Sequence, residues 1–244
     1  CEAYHLMLKL GINQEEMANI FEKWNKSELD SFLIQITIDI LRYKDKDGYI
    51  LERIRDTAGQ KGTGKWTVMS ALQYGMPVTT IAEAVFSRIL SSLKDERVNA
   101  SKFLKRAKDK ILETDINIQT FVEDIKYALY CSKIISYAQG FMLMREAAKE
   151  NKWNLNYGAI ALMWRGGCII RSVFLGNIKE AYDKNPKLSN LLLDEFFIKE
   201  IDRCEDHWRN LISNAVRLGV PIPAMSSSLS FYDGYRTERL PSNL

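Results

Sequence analysis

Apolar residues recur at three- and four-residue intervals along almost the whole chain, and alternation of strand type is nearly absent. That periodicity predicts an all-α fold, a multi-helix bundle. Asn13 with Glu16, Asn25 with Glu28 and Thr80 with Glu83 have capping-box spacing, which predicts helices starting near 14, 26 and 81. The second of these carries Leu29, Phe32, Leu33, Ile36, Ile40 and Leu41 on one face and stops at the turn Asp45-Lys-Asp-Gly48. Two later segments, Tyr127 to Lys149 and Tyr157 to Tyr182, are apolar around most of their circumference, as central helices must be. Small residues at 136, 138 and 140 and the pair Gly166-Gly167 predict close helix contact, since glycine inside a helix costs up to about 1 kcal/mol relative to alanine. Arg165 and Arg171 flank the glycine pair and are expected to be ion-paired structural residues. Asn185-Pro186 ends this region, Leu188 to Leu218 continues as helix, and Ala224 to Tyr235 forms a last amphipathic segment. Connections are short throughout, so residues 1–244 read as one domain.

The polar segment Asp56-Thr-Ala-Gly-Gln-Lys-Gly-Thr-Gly-Lys-Trp66 breaks this pattern. Glycines at 59, 62 and 64 permit positive φ and let successive amide N–H groups converge, while Lys61 and Lys65 add full positive charge. Trp66 to Tyr74 reads as a short helix stopped by Gly75 and Pro77, whose positive dipole end faces the same place. A phosphate or carboxylate is the ligand this arrangement suits. Gly59-x-x-x-x-Gly64-Lys65 also fits most of a nucleotide-binding P-loop, but that reading fails twice. Trp66 stands where a Ser or Thr must reach Mg²⁺, and Leu51-Glu-Arg-Ile-Arg-Asp56 is charged rather than a buried strand.

Composition narrows the class further. With 244 residues, 46% hydrophobic and 27% charged, the chain can bury a full core without disulfide or metal staples. No apolar run approaches the ~18 residues of a membrane span. Net charge is +3 with basic residues matched by nearby acids. The densest cluster, Lys102 to Lys110, has apolar residues at 103, 104, 107 and 111 and reads as the wet face of a helix, so nucleic acid is not implied. Cysteines at 1, 131, 168 and 204 form no C-x-x-C pair and read as reduced residues of an intracellular, cytoplasmic protein. His5 and His207 lack metal-like spacing, and no metal is expected. Cys1 to Lys9 is already helical in pattern and Leu240 to Leu244 has no helix terminus, so the chain reads as a fragment.

Six motifs in order carry a resemblance: Cys1 to Met7, Trp24 to Leu33, Asp56 to Trp66, Ser91-Ser-Leu-Lys-Asp-Glu-Arg97, Ala161 to Arg171, and Ser230-Phe-Tyr-Asp-Gly-Tyr-Arg236. Together they resemble the C-terminal domain of the decarboxylating 6-phosphogluconate dehydrogenases of the pentose phosphate pathway. The resemblance implies an all-helical domain with a duplicated helical unit, following an NADP-binding Rossmann domain and forming most of a homodimer interface. It implies that Lys61, Thr63 and Arg88 contact the substrate 6-phosphogluconate, chiefly its phosphate. Arg88 lies at the edge of the stripe Ile81, Val85, Phe86 and Ile89, where a guanidinium can hold an oxyanion through two hydrogen bonds. The family's catalytic Lys and Glu precede the segment matching Cys1, its G-x-G-x-x-G has no counterpart here, and its tail follows the segment matching Leu244. No catalytic residue is therefore expected in this chain, and the 244 residues alone are expected to be inactive. The alternative is a non-catalytic helical dimerisation module.

Overall fold

The computed structural model describes residues 1–104 and 116–244, which form twelve α-helices and one small two-stranded ribbon. Its first two helices are α1 (Glu2–Lys9) and α2 (Gln14–Trp24). At the start of α2 the predicted capping box is complete: Asn13 Oδ1 accepts from the Glu16 amide at 2.9 Å and Glu16 accepts from the Asn13 amide at 3.3 Å. The helix then buries Met17, Ala18, Phe21 and Trp24.

At α3 (Phe32–Arg42) the expected start near 26 is corrected. Asn25 spends its side-chain oxygen on the Ser31 amide at 3.1 Å, residues 25–29 form turns, and Ser31 is the true cap. The buried face is Ile34, Ile38 and Leu41, whereas Leu33 and Ile40 point to solvent. Two short strands, β1 (Lys44–Asp45) and β2 (Gly48–Tyr49), then pair around the expected turn, with Gly48 at φ +99°.

Next come α4 (Thr63–Gln73), α5 (Thr79–Ser92) and α6 (Lys94–Phe103). Thr80 is not the cap of α5 but lies inside its first turn. Its amide donates to Gln139 Oε1 at 3.1 Å, and its hydroxyl meets that of Ser228 at 2.8 Å. These three helices contribute only Ala71 and Thr80 to the buried set. The charged run from 102 is described only to Leu104; Phe103 and Leu104 are exposed there, and the rest lies outside the described residues.

The centre of the molecule is α7 (Ile118–Asn151), a 34-residue helix whose buried side chains include Phe121, Ile125, Tyr130, Ile134, Ala138 and Phe141. Within it Gly140 has no heavy atom within 4 Å of where a Cβ would stand, so no close helix contact explains that residue.

Tyr157 to Tyr182 is not one central helix. It is α8 (Tyr157–Met163), an irregular stretch, and α9 (Leu175–Lys184). Gly167 sits at φ +72° within the stretch, a conformation that favours glycine and ends a helix. Here Arg171 contacts Gln35 at 2.9 Å and lies 3.9 Å from Asp30, while Arg165 is exposed with no ion pair among the described residues.

Leu188 to Leu218 likewise divides into a 3-10 turn at Leu191–Leu193, α10 (Glu195–Asp202) and α11 (Glu205–Leu218), which ends at Gly219 with φ +64°. The last helix, α12 (Pro223–Tyr235), has Pro at its first position, where a missing N–H costs nothing. Its other first-turn amides are capped from α1: Glu2 accepts from Ala224 and Met225 at 2.7 and 3.0 Å.

One core of buried residues runs from α1 to α12 around α7, with Trp208 and Phe197 among its fully enclosed members. A satellite of Ala71, Val78 and Leu143 attaches α4 and α5 to it. Among the described residues no helix is long and apolar enough to cross a membrane.

Candidate functional site: an anion loop on α4 and α5

The polar loop leads into α4, whose cap is Gly62 at φ +110°. This backbone conformation is costly for any residue with a Cβ. The first intrahelical bond runs from the Trp66 amide to Gly62 O at 2.8 Å, so the amides of Thr63, Gly64 and Lys65 precede it. No side chain caps this end and no acid stands in the first turn. The positive end of α4 is therefore left for an external acceptor.

Each glycine has its own role, and only one has the positive φ expected of all three. Gly62 supplies it; Gly59 has neither a positive φ nor a crowding neighbour. Gly64 permits close approach: a Cβ there would stand 2.7 Å from Val85 Cγ2 on α5. This contact seats the start of α4 on α5 three residues before Arg88.

Arg88 in turn donates from Nη2 to the Gly59 carbonyl. The loop thus lies along α5, Gly64 against Val85 and Gly59 against Arg88. Thr63 is the first residue of α4, adjoining the first contact, and Lys61 is exposed between the two. The three residues read from the sequence therefore belong to one small region. The stripe beside Arg88 is not a core edge, however, for Phe86 and Ile89 are themselves exposed.

Sequence reasoning gave no separate role to the residues that hold the loop. Ser91 Oγ accepts from the Ala58 amide at 2.9 Å. Arg97 donates to the Asp56 carbonyl at 3.1 Å and lies 3.3 Å from its carboxylate, whose other oxygen is 2.5 Å from Lys94 Nζ. The Lys94 ammonium, with Arg97 beside it, holds the Asp56 carboxyl below the usual carboxylate range. No local pattern marks these residues, because Arg88 and Ser91 lie on α5 while Lys94 and Arg97 lie on α6, beyond the break at Leu93.

On the opposite face of α5, Phe86 and Leu90 line an open, largely apolar groove of about 480 Å³ with Val216, Pro221 and Ile222. Exposed apolar residues continue across α4 and α6, with Trp66 at 66%, Leu72 at 80% and Phe103 at 77% exposure. Among the described residues no cluster of His, Cys, Asp or Glu could hold a metal ion, and the four cysteines are free.

The sequence profile of the C-terminal domain of 6-phosphogluconate dehydrogenase matches residues 1–244. The decarboxylating 6-phosphogluconate dehydrogenase of Drosophila melanogaster is 68% identical over 244 residues, covering all of this chain and 50% of that protein. The Homo sapiens enzyme of the same name is 63% identical over 246 residues, covering 100% and 50%. A solved structure of Plasmodium falciparum 6-phosphogluconate dehydrogenase, studied in its apo form and in complexes with NADP⁺ and with 6-phosphogluconate, superposes with a TM-score of 0.95 at 39% identity. It covers 99% of this chain and 52% of that one. The chain spans about half the length of the curated relatives it matches.

Proposed function

This chain belongs to the family of 6-phosphogluconate dehydrogenase C-terminal domains, and from that premise we propose that it binds the phosphate of 6-phosphogluconate and forms a homodimer face of a cytoplasmic decarboxylating dehydrogenase. In the proposed whole-protein reaction, the 3-hydroxyl of the sugar acid is oxidised with reduction of NADP⁺. The β-keto acid then loses CO₂, and an enediol tautomerises to ribulose 5-phosphate. Among the described residues the strands are two residues long and offer no sheet for a dinucleotide, and no hydride step is assigned to them. Its share is binding: Lys61 supplies charge, Thr63 a hydroxyl, and Arg88 a planar pair of donors.

One observation carries the reading: Arg88 and the uncapped, acid-free start of α4 meet on the loop that bears Lys61. Calorimetric titration with 6-phosphogluconate, gluconate and inorganic phosphate tests it. Binding should require the phosphate and vanish in Lys61→Ala and Arg88→Ala, with melting unchanged. Equal affinity for gluconate, or intact binding in both variants, rejects the assignment. The 244-residue chain should reduce no NADP⁺ when incubated with 6-phosphogluconate, and measurable turnover rejects that part alone.

The dimer face is the exposed apolar surface of α4, α5 and α6, supported by the large apolar side chains these helices leave in solvent. Trp66, Leu72 and Phe86 are large side chains whose burial against a second copy removes apolar surface from water.

A further inference from the structure

The motif Ser91 to Arg97 contributes no residue to the proposed phosphate grip, yet it holds the loop in place. Among the described residues, the only backbone hydrogen bond that an amide of residues 55–62 donates runs from Thr57 to the Arg55 carbonyl, at 2.9 Å. The other tethers come from α5 and α6: Arg88 to Gly59 O, Ser91 to Ala58, Asp95 to Arg55 at 3.7 Å, and Lys94 with Arg97 to Asp56. Arg97 also donates to Ser91 O at 2.9 Å, locking the end of α5 to the first turn of α6. Asp56 receives two of these cations although its side chain is 59% exposed, so it serves no core.

Resting on the phosphate reading above, we propose that Asp56 is a positioning residue for anion binding: its carboxylate, clamped by Lys94 and Arg97, sets residues 57–62 so that Lys61 and Thr63 stand beside Arg88. Simple electrostatics predicts the reverse effect of its loss. Asp56 is a negative charge near an anion site, and removing it should strengthen binding if charge alone matters. Positioning predicts weaker binding, because the loop is released and donors lose their common target.

The test uses the 244-residue chain with Asp56→Asn and Arg97→Gln, read in two ways. Without ligand, exchange of the Thr57 and Ala58 amides, the loop amides that donate hydrogen bonds, should accelerate about tenfold in both variants while α7 amides keep their protection. With ligand, 6-phosphogluconate affinity should fall about tenfold and gluconate affinity stay put, with Asp56→Glu recovering part of the loss. Unchanged loop exchange overturns the proposal, as does equal or tighter 6-phosphogluconate binding by Asp56→Asn. Faster exchange across α7 as well overturns it too, since the residue would then serve global stability. Should the unmodified chain fail to distinguish 6-phosphogluconate from gluconate, it is the phosphate reading that falls, and loop exchange alone decides whether Asp56 positions the loop.

Discussion

Lys133, on α7, directs its ammonium at Ser172 Oγ 3.3 Å away and over the Phe174 ring at 5.5 Å. Burial lowers its pKa to about 8, with the Asp30 carboxylate opposing. Between about pH 8 and the free value near 10.4, the unfolded chain holds a proton there that the folded chain does not, so stability rises with pH. The buried tyrosines 130, 137 and 182, whose burial raises their pKa, titrate in the opposite sense above about pH 10 and end the rise. The Cys131 thiol, held up by its hydrogen bond with Cys204 and by burial, titrates in the opposite sense in the same window, so urea unfolding at about pH 7.5 and about pH 9.5 should show the higher pH favouring the parent more than it favours Lys133→Met. The same slope in both proteins assigns the effect elsewhere. Gly64 makes a steric prediction: Gly64→Ala sets a methyl 2.7 Å from the stiff Val85 side chain and should cost about 1–3 kcal/mol by thermal unfolding, with weaker phosphate binding. A variant that melts and binds like the parent shows that α4 and α5 separate freely.

At the scale of elements, the decisive caps are long-range. The start of α5 has no side-chain cap of its own; Gln139, wholly buried on α7, accepts from Thr80 and donates from Nε2 to Thr79 Oγ1 at 3.0 Å. Gln139→Leu leaves that amide buried without a partner and should destabilise by about 1–3 kcal/mol, with faster exchange at the start of α5. Unaltered melting means water or another side chain takes over. Glu2 does the same service for α12 across the whole length of the chain. Such caps explain where sequence reading stopped. Asn13 and Glu16 are local and were legible; Asn25 and Glu28 have the same spacing, but Asn25 bonds onward to Ser31, and spacing does not record which amide a side chain chooses. Hydrophobicity marked 157–182 as central, which Phe174, Leu175 and Ile178 are, but could not show that Gly167 turns the backbone between two helices. In the site, Lys61 and Thr63 were legible as anion-loop chemistry. Arg88 needed the family resemblance, because one arginine on a helix looks like any other. The clamp at Asp56 depends on a fold that brings Lys94 and Arg97, 38 and 41 positions further on, back to it, and no local pattern in the chain records that.

At the scale of the molecule, two surfaces of different chemistry share α5, one charged around Arg88 and the other apolar around Phe86 and Leu90. Sedimentation velocity should find the chain dimeric, and Leu72→Glu with Phe86→Glu should yield a monomer of unchanged helix content. A monomeric parent at about 10 µM discards this face as the interface. The satellite of Ala71, Val78 and Leu143 has a practical consequence for anyone handling the protein. Whereas α5 is held along α12 and by the buried Thr80–Ser228 contact, α4 buries only Ala71 and α6 nothing, so α4, α6 and the loop should loosen first while α5, α7 and α12 stay folded. Ageing or mild heating should therefore silence ligand recognition in samples whose circular dichroism still looks healthy, and a protease should nick α4 or α6 first, leaving a trimmed core.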